Sequence, residues 1–332
     1  MPSPFLTIVM YHYVRDLARS RYPEIKGLTP EAFQEQLAYL RKYYYLAGVG
    51  EVLAALAGEA ELPANAAWLT FDDGYLDHYT NVFPLLLEHR IEGLFFPVAR
   101  AVKEGRVLDV NKIHFVLAAN PDKGAILKNL EELLAEAREA YQLAPWAWYW
   151  ERHARPSRFD TPEVVFLKEM LQRVLPQPLR TQVVDRLFQK FVSQDEAAFA
   201  GGLYMSLEQL RVMQAGGMYI GGHGYDHTWL DTLSPDKQRE EATRTREFLG
   251  EVGAPQEQWV FSYPYGAVND TLMAILAEQG CAVGLTTEVG VADLDRDRPL
   301  ALPRLDTNDL PKDGRARPSQ WTRMVMEAGG HR

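Results

Sequence analysis

Short apolar runs that alternate with helical patterns constrain the fold of this chain more than any other feature. Each run has the length of a strand and is bounded by Gly, Pro or Asp. The runs cover 5–11, 67–71, 94–98, 218–221, 259–263, 282–286 and 300–305. Strands that alternate with helices imply parallel strands joined by crossovers, so we predict an α/β fold. Seven strands favour an irregular (β/α)7-type barrel over a doubly wound sheet.

Helix starts and ends between these runs support the alternation. Thr29 and Ser234 each precede a proline, which pairs an N-cap hydroxyl with proline at the first helical position. Ser206 and Gln209 have the spacing of a capping box, and the glycines at 216–217 end the helix that follows.

The alternation fails in the middle of the chain, where apolar residues recur at helical spacing. We therefore predict a helical insertion over 101–202, an α/β barrel built from 1–100 and 203–310, and a C-terminal extension over 311–332. The most aromatic segment of the insertion is 145–150. Such aromatics can anchor a core, stack on a sugar or contact a membrane, and the sequence leaves all three open.

Composition excludes several classes of protein. The net charge is −10, with no dense run of Lys or Arg, which argues against a nucleic-acid partner. The only cysteine, Cys281, excludes an intramolecular disulfide and is expected to be a buried apolar residue. No apolar run approaches the roughly 18 residues of a transmembrane helix, and the N-terminus lacks the basic region of a signal peptide. We expect a cytoplasmic protein.

The most specific motif is Thr-Phe-Asp-Asp-Gly at 70–74, which directly follows an apolar run. It therefore lies at the C-terminal end of a predicted strand, where α/β folds place their sites. Asp72 and Asp73 can point apart there, one towards a metal and one towards a reacting water, while Gly74 allows a sharp turn. Asp-Asp-Gly alone is also a common turn sequence.

A second motif strengthens the functional interpretation. His223 and His227 are four residues apart and follow another predicted strand, so one helical turn would put both imidazoles on the same side. Two histidines and one carboxylate leave coordination positions open for water and substrate, as a hydrolytic zinc site requires. A histidine pair alone is often structural, but beside an Asp-Asp-Gly motif it indicates a metal site.

Together these motifs resemble those of the polysaccharide deacetylases, the NodB-homology group also classed as carbohydrate esterase family 4. The first family motif, T-F-D-D-G, is present at 70–74 and the second, of the form H-x-x-x-H, at 223–227. The third is matched in part by 261–266. The resemblance covers roughly 1–100 and 203–310, outside the predicted insertion.

The resemblance implies a role for each matching residue. Asp73, His223 and His227 would hold a divalent metal, usually Zn²⁺, with Co²⁺, Ni²⁺ or Mn²⁺ as alternatives. Asp72 would act as the base that takes a proton from the attacking water. The backbone N–H of Tyr265 would stabilise the oxyanion of the tetrahedral intermediate.

The sequence departs from the family pattern at two positions. Gly224 replaces the Ser or Thr that often supports the histidine loop. Ser262 stands where many members have an arginine that orients the catalytic Asp. Arg304, at the end of the last predicted strand, is the best substitute, because it could contact a carboxylate through two nitrogens. A structural ion pair is the alternative for Arg304.

The general acid also departs from the usual order. Relatives place a catalytic histidine near the C-terminus, yet the only histidine after His227 is His331, at the end of the chain. His12, within Met-Tyr-His-Tyr-Val at 10–14, ends the first predicted strand, and the chain here resembles the subgroup of the family that carries a Tyr-His-x-Val strand at the N-terminus. The first and last strands are neighbours in a barrel, so a circularly permuted motif would keep its place in space. His12 could then protonate the leaving amine, or it could be merely packed at a strand end.

We therefore expect a metal-dependent hydrolase of an N-acyl group, most simply the N-acetyl group of an amino sugar in a surface polysaccharide or a lipid-linked glycan precursor. The alternatives are a hydrolase of another amide, such as a formamide or ureide, and a sugar-binding module without activity. An apolar pocket wall would come from Trp229 and Leu230, with Tyr263 and Pro264 shaping the pocket.

Overall fold

The structure is a computed structural model that describes residues 5–63, 65–157 and 160–330. Its contacts divide the chain into two compact units. The barrel unit comprises 1–15, 27–104 and 201–332, so far as these are described, and the helical unit comprises 16–26 and 105–200. The segment Asp16–Lys26, which the sequence analysis assigned to the barrel, belongs with the helices. His331 lies outside the described residues.

Nine strands are present in the described chain. They are β1 (Phe5–Tyr11), β2 (Tyr45–Leu46), β3 (Ala66–Asp73), β4 (Leu94–Pro97), β5 (Tyr219–Ile220), β6 (Trp259–Ser262), β7 (Cys281–Val289), β8 (Ala292–Asp293) and β9 (Leu302–Asp306). Seven of them form a parallel sheet in the order β5-β4-β3-β1-β9-β7-β6, and all seven were predicted. The two-residue strands β2 and β8 were missed.

The sheet curls into a barrel, as predicted. Its first and last members, β5 and β6, approach each other at a parallel bridge between Gly222 and Phe261. At the bridge Gly222 N donates to Val260 O over 3.0 Å, and Ser262 N donates to Gly222 O over 2.9 Å. The first strand β1 pairs with the last strand β9, which confirms the predicted neighbourhood of the two ends of the barrel.

The helices that surround the sheet and build the helical unit are, in chain order, α1 (Pro30–Tyr43), α2 (Val49–Leu56), α3 (Phe83–His89), α4 (Ala99–Glu104), α5 (Asp109–Ala119), α6 (Lys123–Ala137), α7 (Trp146–His153), α8 (Pro162–Glu169), α9 (Gln177–Phe191), α10 (Glu196–Gly201), α11 (Leu207–Ala215), α12 (Pro235–Val252), α13 (Asp270–Glu278) and α14 (Gln320–Gly330). Two π-helical turns cover His78–Val82 and Met170–Val174. Among the helices that the structure describes, none is long and apolar enough to span a membrane.

The predicted N-cap residues begin their helices. The Thr29 hydroxyl accepts a hydrogen bond from Ala32 N over 3.1 Å. Ser206 and Gln209 form the predicted capping box, in which each side chain accepts from the other residue's backbone N–H. Ser234 occupies the N-cap of α12 with proline at the first helical position, as predicted, although its side chain accepts no capping hydrogen bond.

Strand alternation separates two apolar layers in the barrel unit. One layer fills the curled sheet and includes Ile8, Trp68, Phe96 and Val260. The other lies between the sheet and its helices and includes, with many more, Phe71. Along β3 and β9, the side chains that point into the barrel are apolar at first and polar near the strand ends. The sheet therefore places charged side chains above an apolar interior. Cys281 is buried, as predicted.

Candidate active site and metal centre

The two acidic residues of the first motif lie at the end of β3 and point in different directions. Asp72 continues the inward alternation of the strand and contacts Arg304. Asp73 has a left-handed backbone, with φ of 71°, and Gly74 follows with φ of 70°. A Cβ at Gly74 would lie 2.7 Å from Pro97 Cβ, so only glycine fits this turn. The divergence expected from the sequence is therefore present.

The histidine motif is not helical, which corrects the prediction of a helical turn. Residues 223–229 form a loop in which Gly224 and His227 have left-handed φ values of 74° and 54°. Glu241 of α12 supports this loop, because its Oε2 accepts from Tyr225 N at 2.8 Å and Asp226 N at 3.2 Å. The left-handed backbone at residue 224 explains a glycine where relatives often have Ser or Thr. Glu241 was not identified from the sequence.

Asp73, His223 and His227 converge on one point. Asp73 Oδ1 lies 3.4 Å from His223 Nε2 and 3.3 Å from His227 Nε2. All three ligand atoms lie within 4.8 Å of one another, and the three side chains are nearly inaccessible to solvent. Within the described residues, Asp73 Oδ1 accepts no hydrogen bond. A buried carboxylate oxygen facing two imidazole nitrogens is a donor set that suits a divalent transition metal.

The protonation of His223 is set by its second nitrogen. Nδ1 lies 2.7 Å from Ser262 O, and because a carbonyl only accepts, Nδ1 carries the proton. Nε2 then presents its lone pair towards Asp73, as a metal ligand does. Ser262, which replaces the expected arginine, thus supports the site through its backbone carbonyl.

Tyr75 holds the other oxygen of the Asp73 carboxylate. Its hydroxyl donates to Asp73 Oδ2 over 2.5 Å, and its ring stacks on Tyr13 with centroids 4.1 Å apart. Burial, reinforced by the Asp73 charge, raises the pKa of Tyr75 well above its usual value, so the phenol remains a donor. The sequence analysis missed Tyr75, although its place directly after the Asp-Asp-Gly motif was an available signal.

Arg304 contacts Asp72 through two nitrogens, the geometry that the sequence analysis anticipated. Nη2 lies 2.8 Å from Oδ2, and Nη1 donates to Oδ1 over 3.1 Å. Arg304 Nε donates to Thr286 O over 2.8 Å, which fixes the guanidinium. Burial would raise the pKa of Asp72, but the charge of Arg304 and its hydrogen bond to the carboxylate lower it to about 2. Asp72 is thus ionised and oriented at neutral pH.

His12 follows β1 and lies beside the two carboxylates. The register pairs Tyr11 with Phe71, so His12 comes level with Asp72 one step further along both strands. Its positive form would help to lower the pKa of both Asp72 and Asp73. The backbone at this point is held by His78, whose Nε2 lies 2.7 Å from His12 O. The half-buried His12 side chain therefore belongs to the site's surroundings.

The predicted substrate-binding residues separate into two groups. Tyr265 has a left-handed φ of 58°, and its ring stacks on Trp229 with centroids 4.4 Å apart and lies 4.7 Å from the His227 ring. Tyr263 is fully buried with its hydroxyl bonded to Leu300 O, and Leu230 is 1% exposed in the core.

Only the first of these groups can face a ligand. Leu230 and Tyr263 have almost no surface that a substrate could touch, which corrects the pocket roles proposed for them. Pro264 is also buried, next to Tyr265. The Trp229–Tyr265 stack forms the aromatic side of the site.

A family comparison agrees with this geometry. The model of the polysaccharide deacetylase family matches residues 59–143 and 189–284, more than half of the chain. The chain belongs to the polysaccharide deacetylase family, as its motifs indicated. The unmatched stretch between the two segments lies in the helical unit.

Individual relatives match over shorter stretches. The putative polysaccharide deacetylase YxkH of Bacillus subtilis is 29% identical over 93 residues, which are 28% of this chain and 33% of YxkH. The poly-β-1,6-N-acetyl-D-glucosamine N-deacetylase of Escherichia coli is 34% identical over 98 residues, 29% of this chain and 14% of that protein. The matches thus span a third or less of these relatives.

Solved structures show the same fold over nearly the whole chain. The Streptococcus pyogenes deacetylase PplD, in complex with acetate, has a TM-score of 0.59 at 18% identity and covers 99% of both chains. IcaB from Ammonifex degensii has a TM-score of 0.53 at 22% identity and covers 98% of this chain and 97% of its own.

Proposed function

We propose that this protein removes the N-acetyl group from an amino sugar of a glycan by metal-assisted hydrolysis. The observation that carries the proposal is the buried Asp73–His223–His227 cluster beside the ionised Asp72–Arg304 pair. Family membership supports deacetylation, and the name of the Escherichia coli relative supports an N-acetylglucosamine polymer as the substrate class.

The metal would be held by Asp73 Oδ1 and the Nε2 atoms of His223 and His227. Zn²⁺ is our first choice, because one carboxylate and two imidazoles leave positions open for ligands from solution. A divalent ion bound there supplies a Lewis acid for the acyl oxygen and makes water more acidic.

Asp72 acts as the base in this proposal. It is ionised at neutral pH and cannot turn away, because Arg304 contacts both of its oxygens. It accepts a proton from the water that attacks the acyl carbon. Its pKa of about 2 gives it little basicity of its own, so the reaction depends on an acidified water.

The remaining steps fall to His12 and Tyr265. His12 donates a proton to the sugar nitrogen as the C–N bond breaks, so that acetate and a free amino sugar are the products. The Tyr265 N–H donates to the oxyanion of the tetrahedral intermediate. The Trp229 indole lies beside Tyr265 and lines the space for the acyl methyl group.

Two parts of the earlier hypothesis remain predictions. A cytoplasmic location, and with it a small or lipid-linked substrate, is one. A formamide or ureide substrate is the other, since the same water chemistry serves any suitably placed acyl carbon. A binding module without activity is disfavoured, because binding alone needs no buried base beside a metal cluster.

A mass-spectrometric assay of the zinc-loaded protein tests the activity. Acetylated and formylated glucosamine oligomers, free and lipid-linked, are incubated with it. A loss of about 42 mass units per site indicates deacetylation and one of about 28 deformylation. No change in any oligomer by metal-loaded protein would contradict the proposal.

Substitutions test the assignment of roles. Asp73→Ala, His223→Ala and His227→Ala are expected to lose bound metal, whereas Asp72→Asn keeps the metal and loses roughly 10²-fold or more in turnover. Metal content by plasma emission and acetate release are measured on the same samples. A metal-free Asp72→Asn protein beside a fully loaded His223→Ala protein would reverse the assignment.

A further inference from the structure

The helical unit contains an open cleft of about 480 Å³ between α6 and α7. One face of each helix lines this cleft. The lining residues of α6 are three or four positions apart, and the lining residues of α7 include two that lie one helical turn apart. The lining consists of Gly124, Leu127, Lys128 and Glu131 of α6 and Trp146, Ala147, Trp150 and Glu151 of α7.

Two indoles form a fixed aromatic wall in this cleft. Trp146 and Trp150 lie one turn apart with centroids separated by 6.4 Å and planes 23° apart. Behind them, the fully buried Phe166 contacts both rings at centroid distances of 4.9 Å. The indoles are therefore held in place from one side while they line open space on the other.

A third tryptophan of the same helix makes a contrast. Trp148 is 42% exposed and does not line the cleft. Its ring is covered by the Arg152 guanidinium at 4.1 Å. Only the tryptophans on one face of α7 therefore line the cleft.

The charges around the aromatic wall are unequal. Glu131 and Glu151 contribute two carboxylates against the single ammonium of Lys128, and all three residues are exposed. Within the described chain, Glu151 forms an ion pair with the exposed Arg152, whose Nη1 lies 3.9 Å from Glu151 Oε2. The cleft lining thus carries one excess negative charge, which favours a cationic ligand over an anionic one.

We propose that this cleft binds stretches of amino-sugar glycan that already carry free amino groups. Pyranose rings lie against the indoles, and the ammonium groups are stabilised by the indole faces and by Glu131 and Glu151. The inference rests on the proposed function, whose product is such a glycan. The helical unit then holds a partly deacetylated chain, and an acetylated stretch, which lacks the positive charge, binds less tightly.

Calorimetry with the whole, zinc-loaded Asp72→Asn protein tests the proposal, since this variant converts the acetylated probe at least about 10²-fold more slowly than the wild type. The probes are a glucosamine hexamer and an N-acetylglucosamine hexamer at pH 6.5 and low salt. We expect the glucosamine hexamer to bind about fivefold more tightly or better, and the difference to shrink as salt is added.

Three variants locate the binding. Trp146→Ala abolishes binding of the glucosamine hexamer, and the double variant Glu131→Gln/Glu151→Gln removes the preference for that hexamer. Trp148→Ala is the matched control and leaves both affinities unchanged. Circular dichroism monitors folding, and if Trp146→Ala does not fold, the double variant carries the test because both glutamates are exposed.

Several results would overturn the proposal: equal affinities for the two hexamers, an unchanged preference in the double variant, or an equal loss in Trp148→Ala. Binding to anionic phosphatidylglycerol vesicles in place of either hexamer would assign the aromatics to a membrane surface instead. Acetate release by the wild-type protein is measured separately. Release without hexamer preference contradicts only this inference, whereas preference without release contradicts only the proposed activity.

Discussion

The barrel unit and the helical unit each bury a basic side chain against carboxylates, but they do so in different ways. In the barrel unit, Arg304 faces Asp72 with both side chains almost fully buried. In the helical unit, Lys112 of α5 is 1% exposed and contacts Asp185 and Glu196, which remain 28% and 21% exposed. One pair lies at the ends of parallel strands, and the other lies between helices.

The two clusters differ in whether the buried polar atoms around them have hydrogen-bond partners within the protein. In the helical unit, Glu196 contacts Lys112 and also accepts a hydrogen bond from Val107 N over 2.9 Å. Other groups of the protein therefore satisfy this carboxylate. In the barrel unit, Asp73 Oδ1 is buried without a hydrogen-bond partner among the described residues, and it faces the Nε2 atoms of His223 and His227. Unsatisfied buried groups lower stability, so their presence indicates a ligand that completes them. The Lys112 cluster is satisfied by the protein itself, whereas Asp73, beside the Asp72–Arg304 pair, keeps an oxygen available to a ligand.

Replacing the two cations is the largest test of this difference. Arg304→Met leaves Asp72 buried and unpaired, which is expected to cost about 3–5 kcal/mol of unfolding free energy and up to about 10²-fold in kcat. Lys112→Met is expected to cost about 3 kcal/mol or less, because its carboxylates reach water, and to leave kcat unchanged. Urea unfolding and acetate release measure both. If Lys112→Met lowered kcat as much as Arg304→Met, the functional distinction would be lost.

His12→Ala tests whether the acid belongs to the barrel cluster. The variant should fold and keep its metal, because His12 is absent from the ligand set, yet lose roughly 10²-fold in kcat as a general acid is removed. His114 of the helical unit provides the control, and His114→Ala should keep full turnover. Near-normal turnover in metal-loaded His12→Ala protein would reduce His12 to a packed strand-end residue.

Tyr75→Phe tests whether the hydrogen bond from Tyr75 to Asp73 supports metal binding. The substitution removes the donor to Asp73 Oδ2 while keeping the ring that stacks on Tyr13. Metal affinity should fall by about 10–100-fold, as is typical when a partner of a metal ligand is removed. Competition with a fluorescent zinc chelator measures the change. Tyr13→Phe keeps the stack and should bind metal like the wild type; equal losses in both would assign the effect to packing.

Much of the barrel could be predicted from the sequence because its strands are short apolar runs with clear boundaries. The same pattern located Asp72 and Asp73 at a strand end, and together with the family resemblance it allowed Arg304 to be chosen as the partner of Asp72. The sequence analysis missed the two-residue strands β2 and β8 because two residues show no periodicity. The packing of Asp16–Lys26 with the helical unit depends on long-range contacts that no local pattern records.

The histidine loop shows where spacing misleads. A separation of four residues is typical of a helical turn, but Gly224 and His227 bring the imidazoles together through left-handed backbone. Tyr263 lies within the third motif, yet its side chain is buried in the core with its hydroxyl bonded to Leu300 O, whereas Tyr265 stacks on Trp229. Glu241 is far along the chain from the loop it supports, so only the fold reveals it.

His78 provides the smallest test, and a pH-dependent one. It is fully buried in the barrel unit, Nδ1 has no partner among the described residues, and burial lowers its pKa from 6.5 to about 4. The unfolded chain therefore binds this proton below pH 6.5 while the folded protein does not, so stability present above pH 6.5 is lost as the pH falls towards 4. At pH 5.5 the loss should be on the order of 1 kcal/mol relative to pH 8. His78→Gln keeps a donor for His12 O but cannot titrate, so its urea unfolding in chelator should depend less on pH by that amount. Parallel pH profiles for the two proteins would contradict a neutral, buried His78.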